Sequence, residues 1–305
     1  MLYLPKNPAM SQFDRMLKIY SKTIFQTLPS IRTIPFMKKI FFLIFILSSS
    51  VTCYCQTADQ YYDRGIDKDA SGDYKGSILE YNKVIELDPK YGDAYYNRAH
   101  AKKILGDMQG AIDDYTRAVE INPQDAEAYY NRGLIKIELK DYEPSVADFT
   151  AAIKLNPEYA KAYNNRGTAK HELKDYNGAI EDFTKTISIN PKHAVAYNNR
   201  GLAKDKLFDY KESVLDYTKA IEIDPAFADA YYNRGFAKHT MEDQKGAIAD
   251  YNAAIKIDPK NSKAYFNRGF AKITLGQKDE GCLDLKKAAE LGDAGANDLI
   301  QKSCN

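Results

Sequence analysis

Hydrophobic and small residues recur along most of this chain in two stripes with helical spacing, and the pair of stripes repeats every 34 residues. Within each unit the first stripe occupies positions 3, 4, 8, 10 and 14, and the second occupies positions 17, 20, 21, 24, 27, 28 and 30. Steps of three and four residues place side chains on one face of a helix. The pattern therefore predicts two amphipathic helices per unit, here named helix A and helix B.

Proline marks the period most clearly, because it stands at position 32 of six successive units without an insertion. Proline disfavours the helical conformation of the residue before it, so it ends helix B. Aspartate at position 16 is placed to cap the exposed N–H groups at the start of helix B. A fixed period of this length predicts a solenoid, in which each hairpin packs on copies of itself. The prolines are Pro89, Pro123, Pro157, Pro191, Pro225 and Pro259.

Glycine or alanine at position 8, a small residue at 20, mostly an aromatic residue at 24 and proline at 32 resemble the tetratricopeptide repeat. Tyrosine at position 4 stands where that pattern has tryptophan. The resemblance implies an all-α fold, a right-handed superhelical solenoid of about seven helix-turn-helix repeats with a C-terminal capping helix. We predict repeats at residues 58–91, 92–125, 126–159, 160–193, 194–227, 228–261 and 262–295, followed by a capping helix at 296–305.

Two positions depart from the family pattern in every unit: arginine replaces leucine at position 7, and lysine replaces tyrosine at position 11. An acidic residue also stands at position 23 of each unit. One interpretation is a ladder of structural ion pairs between helices. The other is a cationic stripe that binds an acidic ligand. We favour the ladder.

The N-terminal 55 residues differ in composition from the repeats, with seven basic residues against the single acid Asp14. Residues 37–55 contain a short basic start, an apolar run from Ile40 to Leu47 and small or polar residues after it. This is typical of a secretory signal peptide. A lipid or uncleaved anchor is the alternative. Residues 1–36 form an N-terminal extension that is either untranslated upstream sequence, which we favour, or a surface-seeking amphipathic helix.

The repeats are mildly acidic, with 36 basic and 41 acidic residues after the N-terminal 55. Dispersed charge of this kind argues against nucleic acid as a partner. The repeats contain no long apolar run, so we expect no membrane span after signal cleavage. The predicted location is therefore exported, either periplasmic or associated with the outer envelope. We expect Cys282 and Cys304 to form a disulfide there rather than remain free thiols, since antiparallel helices bring them to similar height.

No sequence motif for nucleophilic catalysis, phosphate binding or a metal site stands out. We therefore predict a protein that is not an enzyme, with no cofactor and no metal ligands. The resemblance implies that helices A line a concave groove and that positions 5 and 6 face it. The sequence alone does not specify an oligomeric state.

Positions 5 and 6 carry tyrosine and asparagine in most repeats. Asparagine amides both donate and accept hydrogen bonds, so they suit the backbone of a bound peptide, and tyrosine adds flat contact area. Alternatively, some asparagines only pair with neighbouring helices. The candidate partner-binding residues, which we call the groove row, are Tyr96, Asn97, Tyr130, Asn131, Asn164, Asn165, Asn198, Asn199, Tyr232, Asn233, Phe266 and Asn267.

The sequence thus predicts a protein–protein interaction scaffold that binds a peptide segment or helix of a partner in the concave groove. A structural or accessory subunit of a cell-envelope assembly is the alternative function.

Overall fold

The computed structural model describes residues 56–304, which are organised as consecutive antiparallel helices; the predicted extension and signal peptide lie outside this range. The described residues form fifteen α-helices and no strand. In chain order these are α1 Ala58–Ala70, α2 Tyr74–Leu87, α3 Gly92–Ile104, α4 Met108–Ile121, α5 Ala126–Glu138, α6 Tyr142–Leu155, α7 Ala160–Glu172, α8 Tyr176–Ile189, α9 Ala194–Lys206, α10 Tyr210–Ile223, α11 Ala228–Thr240, α12 Gln244–Ile257, α13 Ser262–Thr274, α14 Lys278–Glu290 and α15 Ala296–Ser303.

Odd-numbered helices from α1 to α13 are helices A, and even-numbered helices from α2 to α14 are helices B. Each helix packs on the next one along the chain, so every helix B lies between two helices A apart from the last, which contacts α15. The predicted fold class, an all-α solenoid of seven helix-turn-helix repeats with a capping helix, is confirmed.

The two helices of a hairpin approach closely because a small residue on helix A faces the residue at position 24 on helix B. A Cβ atom built on Gly133 would lie only 2.9 Å from a ring carbon of Phe149. Phe149 is itself fully buried, and it clusters with Ala152 of the same helix and with Ala162 of α7. Interiors packed this tightly do not absorb an added methyl group without a shift of backbone or ring.

Aspartate at position 16 starts helix B, but it caps the helix through its side chain in only some repeats. The carboxylates of Asp73, Asp107, Asp175 and Asp243 each accept a hydrogen bond from the backbone N–H of a glycine three residues later. Asp141 makes no such bond because Pro144 has no N–H to donate. Asp209 also lacks the bond, and Glu212 stands at the glycine position. The general capping prediction is therefore wrong for these two repeats.

The turn between helices A and B places position 15 in the left-handed backbone region in every repeat. Glycine adopts this region without a steric penalty, whereas other residues pay one. Sequence reasoning missed this feature because four of the seven residues are not glycine. They are Gly72, Gly106, Lys140, Lys174, Phe208, Glu242 and Gly276.

The arginine and lysine of helix A face the acidic residue of helix B in the same repeat. In repeat three, Arg132 Nη2 lies 2.6 Å from Asp148 Oδ1, and Lys136 Nζ lies 2.8 Å from Oδ2. Arg132 Nη1 also donates to Thr116 Oγ1 of the preceding repeat over 3.0 Å. Only 3% of Asp148 is exposed. This matches the ladder interpretation, because the cations contact a buried carboxylate instead of facing an open surface.

The ladder continues through the stack, and its central acids in repeats two to seven are Asp114, Asp148, Asp182, Asp216, Asp250 and Asp284. Each arginine also lies over the tyrosine three residues before it; Arg132 Cζ is 5.5 Å from the ring centroid of Tyr129. Burial by itself lowers the pKa of Arg166, but the hydrogen bond and charge of Asp182 outweigh it and raise that pKa above its usual value. Arg166 therefore stays protonated at neutral pH.

The last helix closes the C-terminal end of the stack. Helix α15 packs on α14, and a disulfide joins Cys282 in α14 to Cys304 directly after α15. The Cα atoms of the two cysteines are 5.7 Å apart, within the usual range for a disulfide. This is the pair that the sequence predicted.

Candidate functional site

The asparagines of the groove row form hydrogen bonds from repeat to repeat. The amide nitrogen of Asn131 donates to the hydroxyl of Tyr96 in the preceding repeat over 2.8 Å. Asn97, Asn165 and Asn267 donate in the same way to the tyrosine 35 residues earlier. These bonds join neighbouring helices A and fix the orientation of each amide. The alternative in which asparagines pair between helices is therefore part of the structure.

The hydrogen bonds between asparagine and tyrosine leave some donors and acceptors of the groove row unused. An amide carries two N–H groups and two acceptor lone pairs, and a phenol that accepts can still donate its own proton. In these bonds each asparagine uses one N–H, and each tyrosine uses one acceptor position. The remaining N–H groups and lone pairs are available for further hydrogen bonds.

The middle of the groove row is different, because repeats four and five carry asparagine instead of tyrosine at position 5. Asn164 donates to its neighbour Asn165 over 3.3 Å, and its carbonyl oxygen has no partner among the described residues. Asn199 makes no hydrogen bond to the repeat before it within the described part of the chain. Asn198 accepts from Asn233 over 2.9 Å and is only 5% exposed. The row of asparagine hydrogen bonds between repeats is thus interrupted between repeats four and five.

The tyrosines at position 5 remain uncharged at neutral pH. Burial, followed by the nearby charge of Asp93, raises the pKa of Tyr62 to about 12. Burial and the charge of Glu127 likewise raise the pKa of Tyr96 to about 12, although the hydrogen bond from Asn131 lowers it in part. Burial also raises the pKa values of Tyr130 and Tyr232. These phenols therefore act as neutral hydrogen-bonding groups with aromatic faces.

Two tyrosines that sequence reasoning missed pack against tyrosines at position 5. Tyr91 and Tyr159 stand at position 34, in the turn between repeats. Their rings lie 5.0 Å from Tyr62 and 4.8 Å from Tyr130, centroid to centroid, with the planes tilted by about 35°. Aromatic pairs at this distance stabilise each other beyond the area they bury. The recurrence of an aromatic residue at position 34, seen again at Phe227, was the available sequence signal.

Within residues 56–304 the side chains of histidine, cysteine, aspartate and glutamate form no cluster that could hold a metal ion. In the same range no helix combines the length and the apolar character needed to cross a lipid bilayer.

Family models for the tetratricopeptide repeat match most of the region that the structure describes. The model described as TPR repeat matches residues 70–106, 99–139, 209–242 and 239–276. Two models described as tetratricopeptide repeat match residues 126–159 and 160–193, and residues 262–291. This chain belongs to the tetratricopeptide repeat family. Among curated proteins, none matches the sequence.

Solved structures of tetratricopeptide repeat proteins resemble this one. The crystal structure of MamA is 30% identical, with a TM-score of 0.53, over 56% of this chain and 94% of that one. A tetratricopeptide repeat protein from Parabacteroides merdae is 22% identical, with a TM-score of 0.60, over 81% of this chain and 99% of that one. YrrB, described as a TPR protein with an unusual peptide-binding site, is 23% identical, with a TM-score of 0.54, over 60% of this chain and 95% of that one.

Proposed function

We propose that this tetratricopeptide repeat protein is a non-catalytic scaffold that binds a peptide segment or helix of a partner protein in the groove formed by helices A. The observation that carries the proposal is the groove row, whose oriented amides retain free donors and acceptors beside neutral tyrosine rings. Hydrogen bonds from such amides suit any peptide backbone, while the rings supply contact area with little loss of side-chain entropy. YrrB, which shares the fold, has a peptide-binding site of its own.

We place this function outside the cytoplasm, in the periplasm or at the outer envelope. The disulfide between Cys282 and Cys304 supports this location, because structural disulfides persist in oxidising compartments and are rare in the cytosol. The basic segment and apolar run at residues 37–55 support it independently.

Site-specific photocrosslinking tests which surface meets the partner. A photoreactive amino acid is introduced at Val195 on helix A of repeat five, or at Leu215 on helix B of the same repeat. Both side chains are exposed, at 45% and 61%, so neither replacement disturbs the core. We expect irradiation of producing cells to yield a discrete crosslinked partner from Val195, identified by mass spectrometry. We expect none from Leu215.

Crosslinks from Leu215 alone would contradict binding in the groove and favour the structural or accessory role in an envelope assembly. The Leu215 variant is the matched control, since it lies in the same repeat and differs only in the helix that carries the probe.

A further inference from the structure

An aromatic cleft lies at the C-terminal end of the stack, between α11, α13 and the capping helix α15. Phe236 and Phe270 line it together with Leu299 and with Phe266, which belongs to the groove row, and its volume is about 380 Å³. Phe236 and Phe270 are 43% and 39% exposed, so the cleft is open and unfilled by the chain's own side chains. Small apolar cavities of this size, roughly 300 Å³ and above, are typical of binding pockets.

The same chain carries a protruding aromatic side chain in the turn between α9 and α10. Phe208 is 78% exposed, more than any other large hydrophobic residue of the described chain. It occupies the left-handed position of its turn, with a φ of 63°, where the other repeats have glycine, lysine or glutamate. A bulky residue with this backbone conformation carries a steric cost, and an exposed phenylalanine gains nothing from solvent. Within its own chain the ring of Phe208 meets only the edge of Tyr210, with 6.3 Å between the ring centroids, and most of the side chain stays exposed.

Charges around the two features are complementary. Lys206 and Lys211 are exposed on either side of Phe208, and Asp298 lies at the cleft. Asp209 follows Phe208 and makes no capping bond. Lys302, of opposite charge, lies at the cleft. Each feature therefore carries charges that can pair with charges of opposite sign on the other. Complementary charges of this kind fix the register of a contact.

We propose that the cleft receives Phe208 of a second copy of this chain. In its own copy Phe208 is exposed to solvent and does not fill the cleft. Each molecule thus presents one protruding ring and one receiving cleft on different parts of its surface. Such a contact is heterologous and, unless the rotation closes a ring, it adds further copies in a row.

The expected association is weak, since one aromatic residue and its neighbours bury far less area than the roughly 1,200 Å² of a stable interface. Sedimentation velocity of the purified protein measures it directly. We expect the average sedimentation coefficient to rise with protein concentration. A coefficient that stays at the monomer value up to the solubility limit would overturn the proposal and leave the cleft to a different partner.

Two variants remove one side of the contact each, with residues that the chain already uses at the same repeat position. Phe208→Gly copies the glycine of repeats one, two and seven, and glycine adopts a positive φ without strain. Phe236→Thr combined with Phe270→Thr copies Thr168 of repeat four. We expect self-association to weaken at least about 30-fold in each, as loss of a central aromatic residue commonly does. The melting temperature of Phe208→Gly should stay the same or rise.

Mixing the two variants gives the decisive result. The Phe208→Gly variant keeps an intact cleft, and the double variant keeps an intact Phe208, so the mixture should form 1:1 dimers and nothing longer. Leu215→Ala, which removes another exposed side chain, should associate like the unmodified protein. Association that survives both variants, or a mixture that stays monomeric, would contradict the proposal. A partner captured by photocrosslinking at Val195 does not bear on this result, so failure of one proposal is distinguishable from failure of the other.

Discussion

At the scale of single residues, the substitutions that set this chain apart from the family pattern form one buried network. Arginine at position 7 and lysine at position 11 stand where leucine and tyrosine are usual, and each repeat supplies a carboxylate to both. A buried ion pair is expensive to desolvate, so its presence alone is weak evidence of stabilisation. Removing only one partner is costly, however, because the remaining buried charge is left unpaired. The network thus makes each position depend on the other two.

This dependence predicts the effect of Asp148→Ala. We expect the free energy of unfolding to fall by about 3 kcal/mol, because the largely buried Arg132 and Lys136 are left without an anion. Replacing all three residues, with Arg132→Leu and Lys136→Tyr added, should recover at least half of the loss. Urea denaturation followed by circular dichroism measures both.

Glu120→Gln is the control for that experiment, since its ion pair with Arg117 is exposed and should change stability by less than about 0.5 kcal/mol. If Asp148→Ala unfolds at the same urea concentration as the unmodified protein, the network does not stabilise the stack.

At the scale of helices, the capping helix α15 is the shortest element and the one most dependent on a covalent bond. It has eight residues, and isolated helices of this length are not stable in water. It is held by its contacts with α14 and by the disulfide, which closes a loop with a sequence separation of 22. A bond of this kind restricts the unfolded state and keeps the helix near its packing site.

Reduction of the disulfide should therefore release α15 selectively. We expect hydrogen exchange of its amides to accelerate by a factor that corresponds to a stability loss of about 3 kcal/mol, while α5 to α8 keep their exchange rates. Mass spectrometry of the exchanging protein, with and without reductant, measures this. The variant Cys282→Ser/Cys304→Ser should show fast exchange under both conditions. Unchanged protection of α15 in the reduced protein would show that packing alone holds it.

At the scale of the whole described stack, each repeat contacts only its neighbours along the chain. The stability of such an array is close to the sum of the intrinsic stability of each repeat and the interaction free energy of each interface between repeats. Inner repeats have two interfaces and the first repeat has one, whereas the last repeat has α15 and a disulfide in addition. The two ends are thus unequal, although the hairpins are nearly identical.

This inequality predicts a gradient of protection along the chain. Amides in α1 and α2 should exchange at least about tenfold faster than those in α7 to α10, because opening the first repeat breaks one interface only. The oxidised C-terminal repeat should exchange more slowly than the N-terminal one. Hydrogen exchange resolved by repeat measures both, and equal protection in all seven repeats would indicate a single cooperative unit instead.

Much of this structure follows from local sequence. The 34-residue period, the two helical stripes and the proline stops specify the hairpins, because these features act over a few residues along one chain segment. The pairing of Cys282 with Cys304 also follows from the sequence, since no other cysteine stands after residue 55. The left-handed turn position was missed where lysine, phenylalanine or glutamate occupies it, because propensity gives no signal there.

Tertiary structure decided which side chains meet between helices. The sequence offered an acid to Arg132 but did not show that Thr116 of the repeat before it would accept from the same guanidinium. Nor did it show that Asn131 would bond to Tyr96, 35 residues earlier, or that Phe236, Phe270 and Leu299 would share one cleft. Period and propensity fix where each helix begins and ends. The angle and distance between helices, which only packing sets, determine which groups come within hydrogen-bonding reach.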